Sequence, residues 1–188
     1  ASVTYAAAGF CRNNNTPQLV TLSGTGTYTG GTYSSLPAGL SINSSNGTII
    51  PNSSAAGTYT ITYSKAAVDV CGNITATTTV IIATVPVATF SYTGTPFCQN
   101  AADPTPVFSA GGFAGNFTST PGLVFVNSST GQIDLAASTA GTYIVTNTIP
   151  AADGCNMVTA TSSLTITATP SASINYAGSP FCKSIATA

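Results

Sequence analysis

Cysteine is the one reactive side chain that this sequence repeats in register. Cys11 and Cys98 lie 87 residues apart, Cys98 and Cys182 lie 84 apart, and Cys71 and Cys155 are again separated by 84. A thiol can ligate a metal, attack an electrophile or oxidise to a disulfide. Metal binding has little support, because no Cys-x-x-Cys occurs and no His is available as a ligand. Catalysis lacks its usual parts. With no His and no Glu, neither a Ser-His-Asp nor a Cys-His site can be assembled. A glycosidase pair would have to come from the four dispersed Asp69, Asp103, Asp134 and Asp153. Oxidation remains. Cysteines in step with a repeat predict a disulfide framework, and with it an oxidising compartment, rather than buried free thiols. No enzyme activity, cofactor or metal is expected.

The elements that must position those cysteines also repeat. Residues 2–11 (SVTYAAAGFC), 89–98 (TFSYTGTPFC) and 173–182 (SINYAGSPFC) are three copies of one phrase. The chain therefore reads as a tandem array cut from a longer polypeptide, with two full periods and the opening of a third. Expected boundaries are 1–86, 87–170 and 171–188. They shift to about 12–98 and 99–182 if the opening strand belongs to the preceding domain.

Within a period, side chains alternate with the two-residue rhythm of half-buried strands. Tyr59, Ile61 and Tyr63 interleave with Thr58, Thr60 and Thr62. Their counterparts are Tyr143, Val145 and Asn147, so the second copy loses one aromatic. A closing strand puts Ile74, Ala76, Thr78, Val80 and Ile82 on one side, matched by Val158, Ala160, Ser162, Leu164 and Ile166. Asn46-Gly47 and Thr130-Gly131 mark equivalent hairpin turns. Seven short strands per period, near residues 5, 20, 31, 41, 49, 61 and 78 in the first copy, predict an all-β fold of tandem antiparallel sandwiches. Tryptophan is absent. Tyr5, Phe10, Tyr33, Tyr59, Tyr63, Phe90, Phe97, Phe117 and Tyr143 are thus the expected large core pieces.

The stretch from Leu36 to Ile50 (LPAGLSINSSNGTII), followed by Ala56-Gly-Thr-Tyr-Thr-Ile-Thr-Tyr63, resembles the immunoglobulin-like, cadherin-like repeats of large secreted bacterial surface proteins. The Tyr-x-Gly-x-Pro-Phe-Cys phrase ending at Cys98 and Cys182 adds to the likeness, which spans essentially the whole chain. It implies immunoglobulin-like sandwiches and a place on a cell surface, in a stalk, an adhesin or a fibre alike. Calcium-rigidified cadherin-type repeats carry acidic clusters at their junctions. The scattered Asp residues depart from that pattern and argue against calcium bridging.

Two cysteine pairings fit the spacing. Each repeat can close on itself, as Cys11–Cys71 and Cys98–Cys155, or hand over to the next, as Cys71–Cys98 and Cys155–Cys182. Strand parity separates them. Five strands between Cys11 and Cys71 put those residues at opposite poles of a sandwich, whereas a disulfide needs Cα atoms within about 7 Å. Two strands between Cys71 and Cys98 return the chain to one pole if it reverses near Val85-Pro86-Val87. Parity favours the hand-over scheme, with Phe97-Cys98 as the last strand of the first repeat.

Charged residues make up 4% of the sequence and the net charge is −1. This excludes the basic field that nucleic acid requires, and a polybasic membrane patch. No apolar run approaches the length of about 20 residues needed for membrane insertion as a helix. Thr, Ser, Asn and Gly cover the surface instead and allow neighbouring repeats or copies to pack side by side at little electrostatic cost. Asn-x-Ser/Thr triplets at Asn14, Asn43, Asn46, Asn52, Asn73, Asn116 and Asn127 are what a chain rich in these residues produces by chance, and Asn43 and Asn46 suit turns. Asp69 and Asp153 read as loop-capping residues. Lys65 has no counterpart in the second copy, which argues against a Lys–Asn cross-link in every repeat. The resulting expectation is a structural component of an extracellular fibre, filament or stalk. The alternative is an adhesin repeat that recognises glycan or a neighbouring cell surface.

Overall fold

The computed structural model describes residues 1–67 and 72–177. Strands form almost all of its regular structure, with a single short 3-10 turn at Pro51–Ser53. The first half holds β1 (Ser2–Tyr5), β2 (Gly9–Cys11), β3 (Val20–Ser23), β4 (Thr32–Leu36), β5 (Gly57–Lys65) and β6 (Ile74–Ala83). The second holds β7 (Phe90–Ser91), β8 (Phe97–Cys98), β9 (Val107–Phe108) and β10 (Asn116–Ser119), then β11 (Val124–Asn127), β12 (Gln132–Asp134), β13 (Gly141–Ile149) and β14 (Val158–Thr167).

Each half repeats one architecture. A four-stranded sheet, ordered β2-β6-β5-β4 in the first half and β10-β13-β14-β8 in the second, faces smaller pairings. Those pairings are β1-β3 in the first half, and β7-β9 with β11-β12 in the second. The long hairpins β5–β6 and β13–β14 form the centre of each four-stranded sheet. Tyr59 opposes Val80 and Tyr63 opposes Ala76, while Tyr143 opposes Leu164 and Asn147 opposes Ala160. The predicted inward faces are inward: Tyr59, Ile61, Tyr63, Val80 and Ile82 are buried, as are Tyr143, Val145, Asn147, Leu164 and Ile166. Two separate cores result. One draws on Val3, Phe10, Tyr33, Ile49 and the β5–β6 residues, the other on Phe90, Tyr92, Phe117, Ile133, Leu135 and the β13–β14 residues.

The opening phrase differs from expectation. It splits into two strands that join different sheets. β1 pairs antiparallel with β3, whereas β2 crosses over and runs parallel to β6, placing Cys11 beside Ala83. β8 does the same against β14, with Cys98 beside Thr167. Phe97-Cys98 therefore belongs to the second sandwich rather than ending the first. Strand parity could not anticipate this, because it counts whole crossings and the Ala6–Ala8 break makes the phrase a half-crossing in each sheet. The strands expected near 41 and 49 are reduced to an Ile42–Ile49 bridge, although their equivalents form the β11–β12 hairpin.

Polar anchors recur as faithfully as the apolar ones. The Tyr59 hydroxyl donates to the Ala55 carbonyl at 2.9 Å and Tyr143 to Thr139 at 2.7 Å, which pins the entry of each long hairpin. Tyr5 donates to Gly47 and Tyr92 to Gly131, at 2.6 and 2.5 Å. The lost aromatic is replaced in function. Tyr63 accepts the Gly31 amide at 2.8 Å, and Asn147 accepts the equivalent Gly115 amide at the same distance. Asn147 also donates to the carbonyls of Ala88 and Phe113, at 3.0 and 3.1 Å. A buried amide that satisfies three backbone groups is costly to remove, since each group left without a partner costs about 1–3 kcal/mol. Asn147→Ala should thus lower the stability of the second sandwich by roughly 3 kcal/mol and leave the first unchanged, as read by urea unfolding.

Burial raises the phenol pKa of Tyr5, with a smaller contribution from Tyr33, and burial alone raises that of Tyr92. The folded state therefore holds both as neutral phenols. Their contribution is fully present below the unfolded value of about 10 and is lost as pH climbs from there through the raised folded values. Thermal melting should fall steeply only above about pH 10, and Tyr92→Phe should soften that fall.

Candidate functional site at the junction of the two sandwiches

The disulfide of the described structure joins Cys11 to Cys155, across 144 residues, with Cα atoms 4.6 Å apart. Neither expected scheme contains this bond. Cys155 is taken by Cys11, so it closes neither with Cys98 nor with Cys182, and Cys11 does not close with Cys71. Cys98 carries a free thiol and does not close with Cys71. Cys71 and Cys182 themselves lie outside the described residues. The reason for the difference is geometric. Both schemes considered which pole of a sandwich a cysteine occupies, but not that the far pole of one domain abuts the near pole of the next. Cys11, beside the end of β6, points at the following domain. Cys155 sits in the β13–β14 hairpin, at the end of the second sandwich that faces back.

The hairpin is built for close approach. Ala152 and Cys155 exchange backbone hydrogen bonds of 3.1 and 2.8 Å around Asp153-Gly154. Both central residues have positive φ, 49° for Asp153 and 79° for Gly154. That is the signature of a tight two-residue turn favoured by Asp-Gly. The Asp-Gly pair carries this signal in the sequence, and Asp153 is a turn residue rather than the loop cap its position beside Cys155 suggests. Across the junction stands Gly9. A Cβ there would lie 2.8 Å from the Asp153 carbonyl carbon, and one on Gly154 would lie 2.4 Å from the Gly9 oxygen. Two bare backbones thus touch where any side chain would hold them apart. The sulfur of Cys155 then reaches to 3.5 Å from the Thr84 carbonyl, and both cysteines are buried.

Two depressions flank the bond. One, of about 340 Å³, is mostly apolar and is lined by Ala83, Pro86, Phe113, Ile149 and Pro150 beside Cys155. The other, of about 380 Å³, is of mixed character and is lined by Arg12, Asn13, Asn52, Thr84 and Val85. Asn52 donates to Asn15 at 2.8 Å and so presents its amide at the rim. No group of three or more metal-ligating side chains occurs among the described residues, and no helix among them is long and apolar enough to cross a membrane.

No family model matches the chain, and no curated protein matches it. Among solved structures it is similar to a SusE-like, surface-located polysaccharide-binding protein from the heparin-utilisation locus of Bacteroides thetaiotaomicron. The identity is 18% and the TM-score 0.29, over 87% of this chain and 34% of the other. The chain thus spans about a third of the length of that structure.

The glycine contact is directly testable. Gly154→Ala places a Cβ at positive φ, costing about 1–2 kcal/mol, and drives it into Gly9. Mass spectrometry after alkylation should find Cys11 and Cys155 largely modified in this variant and protected in the parent chain.

Proposed function

We propose that this chain is an extracellular, surface-displayed segment whose sandwiches act as a stiffened spacer. The observation that carries this reading is the Cys11–Cys155 bond between two separate hydrophobic cores. A bond within one core would stabilise a domain. A bond between two cores fixes their orientation and resists their separation under tension. Closing 144 residues also removes about 5 kcal/mol of unfolded-chain entropy on loop-closure grounds. Such a bond persists in an oxidising compartment, which supports placement outside the cytoplasm. A surface with 4% charged residues suits side-by-side packing of such segments. Domain limits near residues 86 and 170, the immunoglobulin-like character of each sandwich and assembly with neighbouring copies belong to the same proposal.

A second reading, recognition of glycan, is favoured by the depression that Arg12, Asn13 and Asn52 line beside Thr84 and Val85. Arg12, Asn13 and Asn52 converge there at a rigid junction, and amide and guanidinium donors suit hydroxyl-rich ligands. The surface polysaccharide-binding protein named above is of the class this reading envisages.

Small-angle scattering and a glycan array together separate the two. For a spacer, the oxidised chain should give one narrow distribution of domain orientations that broadens in Cys11→Ser, with no saturable glycan binding. Saturable binding that is lost in Arg12→Ala and Asn52→Ala would establish the second reading instead. Identical scattering from parent and Cys11→Ser would remove the spacer.

A further inference from the structure

The Cys11–Cys155 bond decides which strands feel a pull along the chain. Its cysteines are 144 residues apart, and β3 to β13 all lie between them. Among the described strands, β1 and β2 lead up to the bond and β14 leads away from it. Those three strands are already extended. Residues 2–11 cross the first sandwich as β1, paired with β3, and then as β2, parallel to β6, ending with Cys11 beside Ala83. β14 leaves the junction hairpin, runs antiparallel to β13 from Val158 to Ile166 and ends with Thr167 beside Cys98. A strand rises about 3.3 Å per residue, close to the limit of a stretched chain, so neither segment holds slack. Without the bond, tension would cross each sandwich in series, from its opening strands to its closing one. In the sheets those strands meet through short parallel pairings, Gly9–Cys11 against Ile81–Ala83 and Phe97-Cys98 against Ile166-Thr167.

We propose that the Cys11–Cys155 bond is a tension bypass. Load that enters the chain before Cys11 and leaves it after Cys155 runs along β1 and β2, through the two sulfurs and along β14. The inference rests on the spacer reading and extends it from the orientation of the sandwiches to their extensibility. The enclosed segment is not pulled at either end, so β3 to β13 keep their ladders closed while the path beside them is taut. Along β1, β2 and β14 the load follows the covalent backbone and does not cross the hydrogen bonds to neighbouring strands. Residues that decide the stability of each sandwich, such as Tyr63 and Asn147 with their facing glycine amides, lie inside the enclosed segment. Resistance to stretching is thereby separated from the folding stability of either core. The sandwiches act as a sleeve that keeps the covalent path straight.

The test stretches single molecules of the full chain between handle domains fused to its ends. The parent should lengthen smoothly with no unfolding step from either sandwich. Cys11→Ser, and the parent opened with a dithiol reductant, should release about 500 Å more contour length, from 144 residues at about 3.5 Å each. Asn147→Ala should lower the force of one step in the Cys11→Ser background and leave the trace of the bonded chain unchanged. If Cys11→Ser does not fold, its extra length is present from the start and the smooth trace of the parent still decides. A sandwich-sized step in the bonded parent, or a bonded trace weakened by Asn147→Ala, overturns the bypass while the spacer stands. Release of the whole length by the parent, with Cys11 and Cys155 both open to alkylation, overturns the spacer reading as well.

Discussion

The organisation of this chain depends on a close approach of two backbones. Gly9 and Gly154 meet with no side chain between them, and only then do Cys11 and Cys155 come within bonding distance. The two hydrophobic cores on either side are complete in themselves and share no buried residue. Hydrophobic burial, which organises each sandwich, is short-ranged and leaves their mutual orientation weakly determined. A covalent bond at their junction supplies what the cores do not. Its sparse surface charge removes the other long-range means by which domains might be steered together.

Comparison of the two halves shows which parts of a sandwich can vary. Apolar positions exchange freely provided the face stays inward, as with Ile61 and Val145 or Val80 and Leu164. Backbone polar groups are less tolerant, because a buried amide without an acceptor is costly. Ser54 and Ser138, both buried, each donate to a carbonyl four residues back, at 2.9 and 2.6 Å. Each also accepts an amide from the opposite segment, Ser41 or Val124, at 2.9 Å. Where Tyr63 gives way to Asn147, the aromatic bulk is lost but the bond to the facing glycine amide is kept. The hydrogen-bond demand of that glycine, rather than the volume of the side chain, is the constraint common to both copies.

The alternation of Tyr59, Ile61 and Tyr63 with threonines, and the matching run from Ile74 to Ile82, determined the all-β character, the paired long hairpins and the inward faces. Such periodicity is local, and a strand buries one face whatever its neighbours are. The turn at Asp153-Gly154 was equally legible, since positive φ at both positions is a property of those two residues. Tyr92 is a core residue that the expected set lacks, although it occupies the place of Tyr5 and donates from a buried hydroxyl. What the tertiary structure alone decided is the division of the opening phrase between two sheets, the free thiol at Cys98 and the pairing of Cys11 with Cys155. Each depends on contacts between residues far apart in the chain. Spacing in a repeat fixes which cysteines are equivalent, but every pairing related by whole periods has the same spacing. Only the stacking of one sandwich's pole on the next distinguishes them.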